Sequence, residues 1–150
     1  MPVFLDAKLW AMSIMILLFF FACLKCSSFK KKQIQKIDKM SGEQFEKYLK
    51  DYFEKEEGYS ASLTKRTGDF GADLVLKKGR SKTVVQVKRY TGNVGLSAVQ
   101  EAVAAMKYYK AGKAMVITNS FFTKSAKELA RANRVILWDR KIVIKKMTKS

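Results

Sequence analysis

The feature that most constrains this chain is an apolar run near its N-terminus. Residues 9–24 are apolar at every position but Ser13. A helix of that length rises about 24 Å, which is near the lower limit for a bilayer core roughly 30 Å thick. Lys8 and Lys25 flank the run, and long basic side chains at helix ends can reach lipid headgroups. The run predicts one membrane-spanning helix over residues 9–24, preceded by a short N-terminal flank, residues 1–8.

Basic residues are unevenly placed around this run. Six lysines lie between residues 25 and 39, whereas the flank holds only Asp6 and Lys8 as charged side chains. The positive-inside rule then predicts a single-pass protein with its C-terminal domain in the cytoplasm. A cleaved signal peptide is the alternative, but the flank lacks net positive charge and no A-x-A site follows the run. Residues 25–40 are predicted to form a basic juxtamembrane linker that favours anionic lipid, so membrane lipid becomes a predicted partner.

A folded domain is predicted from residue 41 to residue 150. Ser41-Gly42-Glu43-Gln44 has the S-x-x-Q form of a helix capping box. The apolar residues that follow recur at helical spacing, and they are Phe45, Leu49, Tyr52 and Phe53. Further apolar and turn patterns predict strands over residues 59–67, 72–77 and 83–90, a helix over 97–110, a strand over 114–118, a helix over 123–134, and strands over 135–138 and 142–144.

This order of elements predicts the fold class. A group of hairpin strands followed by alternating helices and strands is typical of an α/β domain with a mixed central sheet and helices on both faces. The 97–110 helix is expected to start with a Ser97–Gln100 cap. Its apolar stripe is expected to consist of Leu96, Val99, Val103 and Met106.

Charge and composition narrow the range of functions. The chain carries 30 Lys and Arg against 13 Asp and Glu, a net charge of +17, of which residues 41–150 hold +12. Such an excess indicates a polyanionic partner, with plain solubility as the alternative. The chain has no histidine, which excludes Ser-His-Asp and Cys-His catalysis and His-ligated zinc. Cys23 and Cys26 are the only cysteines and cannot complete a zinc site.

Three residues in the hairpin strands could carry chemistry. Asp73 opens one predicted strand, and Gln86 and Lys88 interrupt the next. Side chains alternate across a strand, so Gln86 and Lys88 share a face, and pairing of the two strands would bring Asp73 beside them. Carboxylate and amide oxygens suit Mg²⁺, which can polarise a phosphodiester, and a nearby lysine can offset the developing charge. The alternative is a half-exposed strand whose polar side chains face solvent.

Several motifs in this region match one known family in order. The segment from about residue 42 to residue 138 resembles the Mrr-like restriction endonuclease catalytic domain, a branch of the PD-(D/E)XK nucleases. The matching pieces are Phe45-Glu46, Gly58-Tyr59, Thr67-Gly68-Asp69-Phe70-Gly71-Ala72-Asp73, Val85-Gln86-Val87-Lys88-Arg89-Tyr90, Val116-Ile117-Thr118-Asn119, Phe122-Thr123 and Ala126. The resemblance implies a restriction-endonuclease-like three-layer α/β/α domain.

The resemblance also implies roles for individual residues. Asp73 and Gln86 would bind Mg²⁺, with Mn²⁺ as a substitute, together with the main-chain carbonyl of Val87. Lys88 would be catalytic, and Glu46 would be an extra carboxylate of the site, although a boundary position on its helix is the alternative. Ala72 departs from the wider pattern, which has proline before the aspartate. Gln86 replaces an acid, which weakens the negative charge at the metal.

Basic residues near these motifs are candidates for phosphate contact. They are Lys65, Arg66, Arg89 and Lys124. Asp69 is expected to form a turn, and Glu101 is expected to face solvent because it lies opposite the stripe that contains Val99.

Taken together, the sequence and the resemblance predict a membrane-anchored, metal-dependent DNA endonuclease that restricts foreign DNA. The family resemblance implies a homodimer when both strands are cut. A degenerate nuclease fold that tethers DNA to the membrane without cutting it is one alternative. A protein whose basic surface meets anionic lipid is another.

Overall fold

The computed structural model describes residues 3–64 and 70–147. In these residues five strands form a single sheet, and they are β1 (Ser60–Leu63), β2 (Leu74–Lys78), β3 (Ser81–Lys88), β4 (Lys113–Thr118) and β5 (Ile136–Trp138). Five helices within the same described ranges accompany the sheet, and they are α1 (Val3–Asp38), α2 (Gly42–Lys55), α3 (Leu96–Tyr108), α4 (Lys124–Ala132) and α5 (Arg140–Met147).

The sheet is mixed, as the order of elements predicted. Its strands lie in sequence order, with β1–β2 and β2–β3 antiparallel and β3–β4 and β4–β5 parallel. Antiparallel neighbours can be joined by tight turns, whereas each parallel neighbour needs a crossover, here supplied by α3 and then α4. The β3 strand is therefore central, with the hairpin group on one side and the crossover units on the other.

One face of the sheet is covered by α2 and α5. The helix α2 begins with the predicted capping box, in which Ser41 Oγ accepts from the Gln44 N–H and Gln44 Oε1 accepts from the Ser41 N–H. Its predicted apolar face is buried at Phe45, Leu49 and Phe53. These side chains pack against the strand residues of the same face, and those are Leu74, Leu76, Val85, Val87, Met115 and Ile117.

The other face is covered by α3 and α4, which gives the three layers expected. The predicted stripe of α3 is confirmed at Val99, and Val103 and Met106 pack partly buried against the same core, whereas Leu96 is exposed. The rest of the buried face consists of Ala98, Ala102 and Ala105. Small alanines let the helix backbone lie close to β3 and β4, so close packing decides the buried face here. The helix is also capped by Gly95, without a side-chain bond, so the predicted Ser97 cap is wrong.

The N-terminal part of the domain differs most from the prediction. The apolar run lies within the 36-residue helix α1, which continues to Asp38 through the segment predicted as a linker. At its C-terminal end Ile34 and Ile37 are buried in the same core as α2. Large apolar side chains between residues 9 and 24 are exposed. Within residues 3–64 and 70–147, none of the helices combines the length and apolar character needed to cross a bilayer, so the predicted spanning helix is not supported.

The last element is a helix where the sequence predicted a strand. Residues 142–144 belong to α5, which starts after Asp139, whose side chain accepts from the Ile142 N–H at 3.1 Å. Val143 and Met147 lie one turn apart and are both buried against the α2 side of the sheet. The burial of two side chains at this four-residue spacing outweighs the strand preference of the β-branched residues around Val143.

Candidate active site

The candidate site lies where β2 and β3 pair at the start of β2. Asp73 immediately precedes that strand, and its N–H donates to the Val85 carbonyl at 2.8 Å. The register pairs Leu74 with Val85, which puts Asp73 opposite Gln86. The strand pairing therefore brings together two residues that lie 13 positions apart in the sequence.

The Asp73 carboxylate is held by two donors from β3. Its Oδ2 accepts from Gln86 Nε2 at 2.8 Å and from the Val87 N–H at 2.6 Å. The N–H and C=O of one strand residue face the same neighbouring strand, so the Val87 carbonyl faces this side as well. These β3 donors hold the carboxylate against the strand.

The Gln86 side chain presents a buried amide oxygen to the site. Gln86 is 5% exposed, and among the described residues its Oε1 makes no hydrogen bond. An unpaired buried acceptor costs about 1–3 kcal/mol, so a site that keeps one usually has a use for it. An amide oxygen next to a carboxylate is a hard donor pair that fits Mg²⁺ or Mn²⁺. The residues present therefore fit the divalent ion that the family resemblance implies.

Lys88 lies on the same face of β3 as Gln86, two residues further along. Its Nζ is 2.7 Å from Glu101 Oε2, and both side chains are partly exposed. Glu101 lies on α3 and its side chain is 41% exposed, so it faces solvent as expected, but it also pairs with Lys88. Ala98 and Ala105 form the buried face of α3, and Glu101 lies three residues after one and four before the other, at the edge of that face.

The turn before Asp73 is seated on α3 close to Glu101. Gly71 has φ +86°, and a Cβ there would lie 2.7 Å from Glu101 Cβ and from its carbonyl oxygen. Phe70 stacks on Tyr108 of the same helix, with ring centroids 3.8 Å apart. This close approach is the signal that sequence reasoning missed, since a glycine in the motif and alanines in the helix together indicate tight packing there.

The other predicted site residues are placed as follows. Glu46 is half-buried on α2, in the layer on the other face of the sheet, so its part in the site stays a prediction. Lys65, Arg66 and Asp69 lie outside the described residues. Lys124 is the first residue of α4, and its 91% exposed side chain lies 3.9 Å from Glu128.

Arg89 contributes to the domain's packing as well as to the site region. Its Nη2 donates to the Asp38 carbonyl at the end of α1. The Asp38 carboxylate accepts from Arg140 at 2.7 and 2.8 Å and from Asn119 Nδ2 at 2.9 Å. The hydrogen bond from Arg140 is the largest influence, and it holds the pKa of Asp38 below its usual value despite partial burial. The network joins α1 to the ends of β3 and β4 and to α5.

A cleft of about 460 Å³ opens beside Lys88. It is lined by the last two residues of β3 and the two that follow them, Val87 to Tyr90, and by the first turn of α3 with the loop before it. The N–H groups at the start of α3 have no side-chain cap, and such groups favour anions. The cleft thus joins a lysine to a helix N-terminus, a pairing that suits a phosphate group.

Carboxylates are sparse in this region. Within residues 3–64 and 70–147, no group of three or more Asp, Glu, Cys or His side chains is arranged to hold a metal ion. The candidate ligands instead combine the Asp73 carboxylate with the Gln86 amide and backbone oxygens.

The fold is similar to that of solved restriction endonucleases. The DNA modification-dependent restriction endonuclease AspBHI aligns with a TM-score of 0.61 and 16% identity over 79% of this chain and 35% of that one. MspJI restriction endonuclease, solved in complex with a 27-mer oligonucleotide, aligns with a TM-score of 0.59 and 16% identity over 83% of this chain and 31% of that one. A protein of unknown function, AF1548, aligns with a TM-score of 0.54 and 15% identity over 63% of this chain and 55% of that one.

These similarities define the class of fold, and a match to a family profile identifies the family. The chain spans only about a third to a half of the length of those solved proteins. No curated protein sequence matches it. The restriction endonuclease profile Mrr_cat matches residues 37–147, which is most of the chain. The chain therefore belongs to the Mrr_cat family of restriction endonuclease domains.

Proposed function

We propose that this protein is a metal-dependent endonuclease that hydrolyses DNA phosphodiester bonds. The observation that carries the proposal is the Asp73 carboxylate held beside the buried amide oxygen of Gln86, with Lys88 on the same face of β3. Among the residues that the structure describes, this oxygen has no hydrogen-bond partner. A buried acceptor beside a fixed carboxylate suits a cation, and the lysine suits a phosphate. Family membership supports a nuclease, and restriction of foreign DNA is the role proposed for it.

The cation would be held by Asp73 Oδ, Gln86 Oε1 and the Val87 carbonyl. When bound there, Mg²⁺ would polarise the phosphodiester and lower the pKa of a coordinated water. Asp73 is kept in its conformation by the Gln86 amide and the Val87 N–H, so it needs little reorganisation to bind. Lys88 would place its ammonium against the phosphate oxygens and offset the negative charge that builds on them in the transition state.

DNA would lie along the cleft beside Lys88. The net charge of +17 supports a polyanionic partner. We propose phosphate contacts from Lys65, Arg66 and Lys124, while Arg89 lines the cleft and adds positive potential to its wall. Cutting both strands would require two such sites, for which a homodimer is the simplest arrangement.

The test is nicking of supercoiled plasmid by the full-length chain with Mg²⁺ or Mn²⁺. Asp73→Asn and Lys88→Ala are expected to lower the nicking rate by at least about 100-fold. Lys145→Ala, which removes an exposed charge from α5 on the other face of the sheet, is the matched control and should leave the rate unchanged. If all four proteins shift the plasmid on a gel and none cuts it, the chain is a DNA-binding module and the catalytic proposal fails.

We also propose that the apolar part of α1 attaches the protein to a membrane, with the C-terminal domain on the cytoplasmic side. The exposed apolar side chains between residues 9 and 24, and the lysines that follow them, support this. Flotation of the full-length chain with liposomes tests it, with Leu17→Lys and Phe20→Lys together as the comparison. Equal flotation of the two proteins would refute the attachment.

A further inference from the structure

The candidate site has an unusual distribution of charge along β3. Position 86, two residues before Lys88 on the same face, is a neutral glutamine whose Nε2 donates to Asp73. The strand therefore supplies no carboxylate to pair with Lys88. The carboxylate that does pair with it comes from another element, since Glu101 Oε2 on α3 lies 2.7 Å from Lys88 Nζ.

Glu101 is also held tightly to the segment that carries Asp73. The Gly71 backbone approaches Glu101 so closely that a Cβ at position 71 would lie 2.7 Å from Glu101 Cβ and from its carbonyl oxygen. Only Ala72 separates Gly71 from Asp73, so one position on α3 contacts both the lysine and the turn before the aspartate. A displacement of Glu101 would therefore disturb both Lys88 and the turn that precedes Asp73.

We propose that Glu101 is a positioning residue of the nuclease site, supplying from α3 the carboxylate that β3 lacks at position 86. This inference rests on the function proposed above. Glu101 orients the Lys88 ammonium toward the cleft, and it does so across the sheet–helix interface. The acidic side chains of this site thus come from two parts of the fold, Asp73 immediately before β2 and Glu101 on α3. This explains how β3 can carry a glutamine at position 86.

A carboxylate introduced on β3 should compensate for the loss of the Glu101 carboxylate. Glu101→Gln keeps the size of the side chain but removes its charge, so Lys88 loses its ionic partner. Gln86→Glu puts a carboxylate on the same face of β3 as Lys88, within reach of a long side chain. The cation held at the site would neutralise the repulsion between the new carboxylate and Asp73. The double variant should therefore recover what the single variant loses.

The experiment measures plasmid nicking by the full-length chain, with kcat and KM determined separately in Mg²⁺. Glu101→Gln is expected to lower kcat about 10- to 100-fold with KM little changed, because positioning partners around metal sites have effects of that size. Gln86→Glu/Glu101→Gln is expected to return to within a few-fold of the parent. Glu54→Gln is the matched control, because it removes the acid of a 2.7 Å ion pair on α2 that lies outside the site.

A loss of thermal stability in Glu101→Gln that accounts for the lost activity, with no rescue by Gln86→Glu, would overturn the proposal. A second measurement separates it from the nuclease proposal. Reductive ¹³C-methylation gives each lysine an NMR signal, and the Lys88 signal is the one missing in Lys88→Arg. Glu101→Gln should shift it and Glu54→Gln should not. If the signal shifts but no protein cuts DNA, the nuclease proposal fails alone; if it does not shift, Glu101 does not position Lys88.

Discussion

At the scale of single residues, Gly71 is held by two separate constraints. Its φ of +86° lies in the left-handed region, and its missing Cβ leaves room for Glu101. Gly79 shares only the first constraint, with φ +57° and nothing within 4 Å of an added Cβ. The two glycines therefore form a natural comparison between backbone strain alone and backbone strain with a steric clash.

We expect Gly79→Ala to lower the free energy of unfolding by about 1–2 kcal/mol, the cost of placing a side chain in the left-handed region. Gly71→Ala should lose about 1–3 kcal/mol more, because the new methyl group must displace α3. Urea unfolding followed by circular dichroism measures both. Equal losses in the two variants would show that α3 moves aside freely and that the turn is not seated on Glu101.

At the scale of elements, the C-terminal end of α1 is part of the domain core. Ile37 is 1% exposed and packs with residues of α2 and the sheet, whereas Ile14 on the same helix is 56% exposed. Ile37→Ala should lower the free energy of unfolding of the domain by about 2–5 kcal/mol, as expected when a buried isoleucine leaves a cavity. Ile14→Ala should change it by less than about 0.5 kcal/mol. Similar values for both would mean that α1 does not stabilise the domain.

The elements that sequence reasoning predicted well are those whose ends and faces are specified locally. The capping box at Ser41 and the spacing of Phe45, Leu49 and Phe53 specify both the start and the buried face of α2. The alternation in β3 likewise predicts that Gln86 and Lys88 share one face, without reference to how the strands pair. In both cases the residues of the element itself are enough to predict which side chains share a face.

Elements determined by distant contacts were predicted less well. The segment around Val143 has the composition of a strand, but its burial against the core of another layer makes it helical. The large apolar residues of α3 predict only part of its buried face, because close packing on β3 adds Ala98, Ala102 and Ala105. These alanines place Glu101 at the edge of the buried face, where it reaches Lys88. The helical state of α5 and the buried face of α3 both depend on the surface that each element packs against. That surface is formed by residues distant in the sequence, so the local sequence does not specify it.

At the scale of the whole molecule, the Asp38–Arg140 pair links the C-terminal end of α1 to the start of α5, elements 102 positions apart in the sequence. The Arg140 hydrogen bond holds the pKa of Asp38 below its usual value of 3.8. A carboxylate with a depressed pKa in the folded state adds stability above its unfolded pKa and loses that contribution as the pH falls through the folded value. Arg140 keeps its charge throughout this range.

The stability that Asp38 provides should therefore be complete at neutral pH and decline below about pH 4. We expect the difference in melting temperature between the parent and Asp38→Asn to be largest near pH 7 and to shrink as the pH approaches 3. Glu54→Gln is the control, because that exposed carboxylate pairs with Lys50 in solvent, where screening leaves little effect. A difference for Asp38→Asn that stays constant with pH would show that its charge does not stabilise the fold.

The net charge of +17 makes DNA binding a property of the whole surface as well as of the site. Binding that neutralises about five phosphates should weaken with salt, and a plot of log affinity against log salt concentration should have a slope of about −4.5.

The Asp73→Asn variant, bound to DNA without Mg²⁺, allows affinity to be measured without cutting. On that background Lys124→Ala should make the slope shallower by about one, since it removes a phosphate contact. Lys145→Ala, on α5 across the sheet, should leave the slope unchanged. Equal slopes for the two variants would place the DNA away from α4, and a slope near zero for the parent would mean that the basic surface serves another partner.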